Sequence, residues 1–175
     1  LSAERSRAVA LVGPPAQEIA DELGLPGGLE LRYRPRSNAD SAEGFAAELL
    51  ERRSSDLERG FSGHGPHRDE LLLSREGREL RIYGSQGEQR VALLSLLLAE
   101  RQVLAEERGQ TPLLLLDDVM SELDAERRER LVARITAAGQ SVVTTTELEH
   151  VPTADQADVA RVEVSGGVID QKVNA

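Results

Sequence analysis

The chain has 175 residues, no cysteine and a formal net charge of −10 at pH 7. Its length predicts one ordinary domain with room for a small appendage. The lack of cysteine excludes disulfides and cysteine-ligated metals within these residues and fits a reducing compartment, so we expect a cytoplasmic protein. No apolar run approaches the roughly 20 residues that a membrane span needs, and we expect no membrane partner.

The first third of the chain predicts two helical regions with a strand between them. Residues 1–24 are expected to be helical in two pieces, because Pro14 and Pro15 remove helix donors and restrict the residue before them. Residues 29–34 alternate apolar and polar side chains, which indicates a half-buried strand. Residues 42–58 predict a charged amphipathic helix that ends at Gly60.

The middle third predicts a loop, a hairpin and a long helix. Residues 61–69 contain several glycines and a proline, which is typical of a loop. The apolar runs 70–74 and 79–83 flank a polar turn and predict a β-hairpin. A helix is expected from about residue 87 to residue 108, because apolar side chains recur there at helical spacing.

The last third alternates strands and helices. Residues 113–116 are four leucines, too few for a helix, and predict a buried parallel strand. A helix is expected over 125–138, and the β-branched run 141–146 predicts the next strand. The tail around 159–164 predicts one or two more strands. This order predicts an α/β fold with helices layered on a sheet.

Two adjacent carboxylates, Asp117 and Asp118, end the leucine strand. Ligands bind at the carboxyl ends of strands in open α/β sheets, and paired acids there suit a Mg²⁺-bound nucleotide. Asp117 would then hold Mg²⁺, and Asp118 would orient or deprotonate the attacking water. The alternative interpretation is a turn at the strand end, where aspartate is common.

Two further motifs have a structural and a functional interpretation. Ser85-Gln-Gly-Glu88 fits a capping box, in which Ser85 and Glu88 satisfy early helix amides. The same geometry makes an anion site at the helix amino terminus. Ser121-Glu-Leu-Asp124 places Asp124 where it caps the helix that begins at Ala125.

Arginines form two local groups in this acidic chain. One comprises Arg32, Arg34 and Arg36, and the other Arg127, Arg128, Arg130 and Arg134. Each group fits either a solvated face or a patch for nucleic acid. The sequence alone favours the solvated face for both.

Together these motifs resemble the RecF family of ATP-binding-cassette (ABC) ATPases, which are similar to SMC proteins. The resemblance rests on GPHRDEL at 65–71, GSQGEQR at 84–90 and LLLLDDVMSELDAERRERL at 113–131. It is good from about residue 60 to residue 150 and looser before that. It implies a fold that is the carboxyl-terminal lobe of an ABC ATPase head, a mixed sheet flanked by helices, with a small helical arm remnant at the amino terminus.

The resemblance also implies roles for individual residues. Ser85, Gln86, Gly87 and Glu88 match the signature motif, which contacts the γ-phosphate bound by a partner subunit. Asp117 matches the Walker B magnesium residue and Asp118 the catalytic carboxylate. The D-loop at the dimer interface corresponds to Ser121 through Asp124, and Thr146 falls near the switch position. His67 and Arg68 lie in a family hallmark to which no chemical step is assigned.

A Walker A loop, G-x-x-x-x-G-K-[ST], is absent from the sequence, whose single lysine is Lys172. We therefore expect residues 1–59 to be the arm remnant with one strand, and 60–175 to be the carboxyl-terminal half of the head. This half alone is expected not to bind ATP tightly or to hydrolyse it.

By the same resemblance, the intact family member is an ATP- and Mg²⁺-dependent homodimer in replication and recombinational repair. It binds DNA at gaps or single-strand/double-strand junctions, acts with recombination-mediator proteins, and is associated with the nucleoid. Two alternatives remain from the sequence. One is a non-catalytic half-head that dimerises or complements a separate Walker A half. The other is a small DNA-binding domain that uses Arg32, Arg34 and Arg36.

Overall fold

The computed structural model describes residues 1–156 and 159–172, without the side chains of the last two. The chain divides into two compact units, residues 1–103 and the residues from Leu104 onward. The described strands form one three-stranded sheet in the first unit and two two-stranded sheets in the second, and each unit has its own buried side chains. The expected boundary near residue 59 concerns lobes of the family fold and stays a prediction.

Helix α1 spans Ser2–Glu22 without interruption, with Pro14 and Pro15 inside it. The predicted break at the prolines is therefore wrong. The prolines leave the carbonyls four residues earlier without donors, but these belong to Ala10 and Leu11, which are exposed to water. After the prolines, α1 buries Ala16, Ile19 and Ala20 completely, and this packing holds the helix together.

Strand β1, Leu29–Arg34, confirms the predicted strand and pairs antiparallel with β2, Glu70–Arg75. Its alternation points Leu29 into the core and leaves the intervening charged residues exposed. The strand contacts α1, whose Ile19 is fully buried, and the chain between them buries Leu25. This small core fixes the sheet of the first unit.

The second arm of the predicted hairpin is only two residues long. Strand β3, Arg78–Glu79, pairs with β2, and the chain then turns into the short helix α3, Leu80–Tyr83. The turn closes through a 2.9 Å hydrogen bond from the Gly84 N–H to the Leu80 carbonyl. A Cβ at residue 84 would lie 2.7 Å from that carbonyl oxygen, so glycine permits the approach. The predicted strand over 79–83 is wrong beyond Glu79.

Helices α2 and α4 match their predictions. Helix α2 spans Ala42–Arg59; the Ser41 hydroxyl accepts from the Gly44 N–H at 3.1 Å, and Gly60 ends the helix in the left-handed conformation. Helix α4 spans Gln86–Arg108 and buries Val91 and Ser95. The Ser95 hydroxyl donates to the Val91 carbonyl at 2.7 Å.

The second unit begins with the predicted strand–helix–strand order. Strand β4 is Leu114–Asp117, α5 is Ala125–Thr136 and β5 is Ser141–Thr144, and β4 and β5 are parallel as expected. A mixed α/β fold is thus confirmed. Helix α5 faces the core with Leu131, Val132 and Ile135.

Strand β4 is buried on one face only. Leu114 and Leu116 are 4% and 3% exposed, whereas Leu113 and Leu115 are 54% and 66% exposed. The expectation of a buried parallel strand is therefore confirmed for the pairing and wrong for one of the two faces. Among the described strands, only β5 pairs with β4.

The tail forms one antiparallel hairpin of β6, Arg161–Ser165, and β7, Val168–Lys172. Gly166 and Gly167 make the turn with positive φ angles of 57° and 80°. The tail thus supplies the two strands that the sequence allowed. Over the described residues, no helix has the length and apolarity to cross a membrane.

Candidate functional site

The acid pair lies where the sequence placed it, at the carboxyl end of β4. Asp117 is the last residue of the strand, and Asp118 follows it in the left-handed conformation with φ 48°. Both side chains are exposed. The pair therefore does not need a metal to offset the cost of burial, and a role must come from its position and hydrogen bonds.

Thr144, the last residue of β5, connects the two acids. Its hydroxyl donates to Oδ1 of Asp117 and accepts the backbone N–H of Asp118 at 3.0 Å. The parallel register makes this possible, because Asp117 lies directly opposite Thr144. The contact fixes one carboxylate oxygen of Asp117 and leaves the other to a ligand. Oxygen donors of this kind are what Mg²⁺ prefers, and it commonly takes one or two carboxylates together with phosphate oxygens.

The residue that sequence reasoning missed is this threonine. The family comparison pointed to Thr146, which lies in the bend two residues after β5. The strand register could have identified it. Asp117 and Thr144 are the last residues of two parallel strands, so they lie side by side, whereas Thr146 lies beyond the strand. The switch role of Thr146 stays a prediction.

The Ser121–Asp124 segment makes a short, closed turn between β4 and α5. The Ser121 hydroxyl donates to the Asp118 carbonyl at 2.9 Å, within a 3₁₀ turn over Val119–Glu122. Asp124 caps α5 by accepting the Arg127 N–H at 2.9 Å, which confirms the predicted cap. The backbone of Asp118, in its left-handed conformation, is thus bonded on both sides, at its carbonyl by Ser121 and at its N–H by Thr144. The D-loop role is a separate prediction.

The Ser85–Glu88 segment forms the predicted capping box at the start of α4. The Ser85 N–H donates to Oε2 of Glu88 at 2.8 Å, and the Glu88 N–H donates to the Ser85 hydroxyl at 3.3 Å. The hydrogen bonds from Ser85 and the charge of Arg75 lower the pKa of Glu88, against the opposing effect of burial. The structural interpretation is thus confirmed. The box occupies the Ser85 and Glu88 N–H groups, while Ser85 and Gln86 themselves are exposed at this helix terminus.

Two side chains of the GPHR segment at 65–68 contact the backbone of the preceding loop. The His67 ring nitrogen Nε2 lies 3.0 Å from the Ser62 carbonyl, and Nε of Arg68 donates to the same carbonyl at 3.2 Å. Arg68 also stacks over the Phe61 ring, 5.2 Å from its centroid. Nearby, the buried His64 lies 2.6 Å from Glu48, and hydrogen bonds from Ser37 and His64 lower the pKa of that carboxyl.

Asp69 follows this segment and is the best-connected carboxylate of the first unit. It accepts hydrogen bonds from Arg5 at 2.6 Å, from the Tyr33 hydroxyl, and from the Arg36 N–H at 2.8 Å. Burial raises its pKa, but these three donors outweigh burial and lower the pKa below 3.8. Asp69 therefore joins α1, β1 and β2 as a charged structural residue.

Comparison with known proteins identifies the fold and the family. No family model matches the chain. A curated relative from Herpetosiphon aurantiacus, the DNA replication and repair protein RecF, is 37% identical over 168 residues, which cover 95% of this chain and 44% of the relative. A solved structure of the recombination mediator protein RecF-ATPrS in the RecFOR pathway has a TM-score of 0.74 and 26% identity, and covers 95% of this chain and 45% of that chain.

A third comparison extends the class beyond RecF. A solved chain from work on ATP-driven dimerization and DNA-stimulated activation of SMC ATPases has a TM-score of 0.58 and 16% identity, and covers 99% of this chain and 91% of that one. The fold is therefore that of the head domains of SMC-like ABC ATPases. Within that class, the chain belongs to the RecF family and matches the carboxyl-terminal part of its members. It spans less than half the length of the curated relatives that it matches.

Proposed function

We propose that this chain is the carboxyl-terminal lobe of a RecF-type ATPase that binds ATP and DNA as a homodimer in replication and recombinational repair. The observation that carries the proposal is the Thr144 hydroxyl between Asp117 and the Asp118 amide, at the carboxyl end of two parallel strands. This arrangement ties one carboxylate oxygen of Asp117 to Thr144 and fixes the backbone of Asp118 beside it, with both carboxylates exposed at the strand end.

Each residue then has a defined task. Asp117 would hold Mg²⁺, which supplies charge stabilisation on the nucleotide phosphates. Asp118, held by the Ser121 hydroxyl through its carbonyl, would orient the attacking water and accept its proton. Ser85, Gln86, Gly87 and Glu88 would meet the γ-phosphate of a partner subunit through the amino terminus of α4. Ser121, Asp124 and Thr146 would lie at the subunit interface and the switch position.

These residues would bind only part of the ATP molecule. The sequence has no lysine within a glycine-rich loop to hold the phosphates, so the chain by itself is proposed not to bind ATP tightly. A segment with a Walker A loop would complete the site. DNA with gaps or single-strand/double-strand junctions, and recombination-mediator proteins, are the proposed partners of the completed dimer.

The test of the acid pair uses this chain joined to a Walker A-bearing amino-terminal segment of a RecF relative. Asp118→Asn should retain ATP binding and lose hydrolysis by roughly 100-fold or more. Asparagine tolerates the left-handed conformation at φ 48°, so the variant should fold normally. Glu149→Gln, which changes an exposed carboxylate of the same unit, is the matched control. Unchanged turnover in Asp118→Asn would remove Asp118 from the catalytic role.

The test of the signature segment uses the same joined protein. Ser85→Arg should abolish ATP-driven dimerisation, measured by sedimentation, while ATP affinity of the monomer stays similar. Because Ser85 also caps α4, Ser85→Ala serves as the control; loss of the cap alone costs about 1 kcal/mol. If dimers persist in Ser85→Arg, the assignment to the partner's γ-phosphate is wrong.

A further inference from the structure

The first unit contains an open cleft of about 600 Å³ whose lining is unusually basic for an acidic chain. Four arginines line it, together with one carboxylate; they are Arg34, Arg36, Arg59, Arg68 and Glu70. The chain carries ten more negative than positive charges, so this concentration of arginine is a local feature. Local basic clusters, rather than net charge, indicate where an anion binds.

Separate elements bring these arginines together. Arg34 ends β1, Arg59 ends α2, and Arg68 belongs to the short 3₁₀ turn between them and β2. The frame is fixed by hydrogen bonds: the Arg36 N–H donates to Asp69, and Nε of Arg68 donates to the Ser62 carbonyl. The fold therefore brings like charges to one cleft from distant parts of the sequence; Arg34 and Arg59, for example, are 25 residues apart.

The charges in the cleft are not balanced from within. Glu70 pairs with Arg34, whose hydrogen bond and charge lower the pKa of Glu70, and the charge of Arg36 lowers it further. Over the described residues, the guanidinium groups of Arg36 and Arg59 make no hydrogen bond or ion pair with an acidic side chain. One carboxylate therefore faces four guanidinium groups, and an anionic ligand would offset the excess positive charge.

The remaining lining favours a phosphate of a nucleic acid over a simple carboxylate. Phe61 is 54% exposed in the cleft, and Arg68 lies over its ring. Proteins that bind single-stranded nucleic acid combine such aromatic rings with a positively charged groove that follows the backbone. Arginine matches phosphate geometry through its planar fork of donors.

We propose that this cleft binds the phosphate groups of a polynucleotide strand, with Arg36 and Arg59 as the principal contacts and Phe61 beside a base. The claim that the phosphate belongs to a polynucleotide rests on the proposed function, in which DNA is a partner. The anion site itself rests on the cleft alone. It lies within the first unit and uses none of the residues assigned to ATP.

The experiment uses the full chain without nucleotide or Mg²⁺ and measures binding by fluorescence anisotropy of a labelled oligo-dT of about 12 nucleotides. The test variant is Arg36→Gln/Arg59→Gln. The matched control is Arg52→Gln/Arg53→Gln, which removes the same charge from exposed positions of α2 outside the cleft. Thermal unfolding of both variants checks that the fold is intact. Unlabelled oligo-dT, inorganic phosphate and dTMP, at constant ionic strength, are the competitors.

The cleft variant should bind oligo-dT at least about tenfold more weakly. The slope of log affinity against log salt is negative, and its magnitude should decrease by about 1.4, the contribution of two phosphate contacts. The control should stay within about twofold of the unchanged chain. Equal weakening in both variants, no weakening in the cleft variant, or no binding by the unchanged chain would overturn the proposal.

The competitors separate the two sources of phosphate. Displacement only by unlabelled polymer identifies the backbone of a strand as the ligand, as proposed. Equally effective displacement by inorganic phosphate identifies a free-anion site and overturns the polynucleotide assignment. Because this assay contains neither ATP nor a Walker A segment, its failure leaves the ATPase test unaffected, and failure of the ATPase test leaves this assay interpretable.

Discussion

At the scale of single residues, short-range contacts were predictable and long-range ones were not. The caps made by Ser85, Glu88 and Asp124 join residues three apart in sequence, so the motif itself contains both partners. Thr144 lies 27 residues from Asp117, and only the register of two parallel strands brings them together. The contact between Asp69 and Arg5 was equally unpredictable, because these residues are 64 positions apart in sequence.

Asp69 gives a prediction at this scale. Asp69→Asn should lower the free energy of unfolding by roughly 2 kcal/mol at neutral pH, because hydrogen bonds to a buried charge are lost or weakened. Its folded pKa lies below the ordinary 3.8, so the charged form stabilises the fold above that pH. This contribution is lost as the pH falls through the folded pKa.

Urea unfolding across this pH range is the measurement. The difference between the unchanged chain and Asp69→Asn should shrink as the pH falls below 3.8. The control is Asp40→Asn, an exposed carboxylate in the segment between β1 and α2, which should change stability little at any pH. A difference that is constant with pH would contradict the role of the charge.

At the scale of elements, local signals predicted most bounds, and tertiary contacts decided the exceptions. Helix α2 has a serine cap, an amphipathic pattern and a terminal glycine, all readable from sequence. In contrast, α1 passes through two prolines because its later turns pack against β1. The run after Glu79 has a strand-like composition, but the bond from Gly84 to Leu80 turns it into a helix.

Two glycines test this explanation. Gly84→Ala should lower the free energy of unfolding by roughly 1–3 kcal/mol, because its Cβ would lie 2.7 Å from the Leu80 carbonyl oxygen. Gly13→Ala, inside α1 where the added Cβ would meet no other part of the chain, should raise it by about 0.5–1 kcal/mol. Chemical denaturation measures both. Stabilisation by Gly84→Ala would mean that the turn before α4 does not need this close approach.

At the scale of the whole molecule, the family was predictable because three motifs occur in a fixed order. The solvent exposure of β4 was not, because a run of leucines has the same composition whether one face is covered or both. Leu115 and its neighbour Val142 on β5 are both exposed, at 66% and 46%. Among the described strands β4 pairs only with β5, and exposed apolar side chains on a sheet with an unpaired edge favour association between molecules.

We therefore expect the isolated chain to associate with increasing concentration. Leu115→Gln should reduce this association, measured by sedimentation velocity, while changing the free energy of unfolding by less than about 0.5 kcal/mol. Leu57→Gln, which changes an equally exposed leucine on α2, is the control and should leave association unchanged. If both variants behave alike, general apolarity rather than the β4 face drives association.

The face of β4 that exposes Leu115 also carries Asp117, because residues two apart in a strand point to the same side. Leucine is stabilised when water leaves, whereas an ionised carboxylate loses its hydration. Any segment that covers this face must therefore change polarity within about 7 Å, the length of two strand residues. It needs apolar side chains over Leu115 and a cation or hydrogen-bond donors at Asp117.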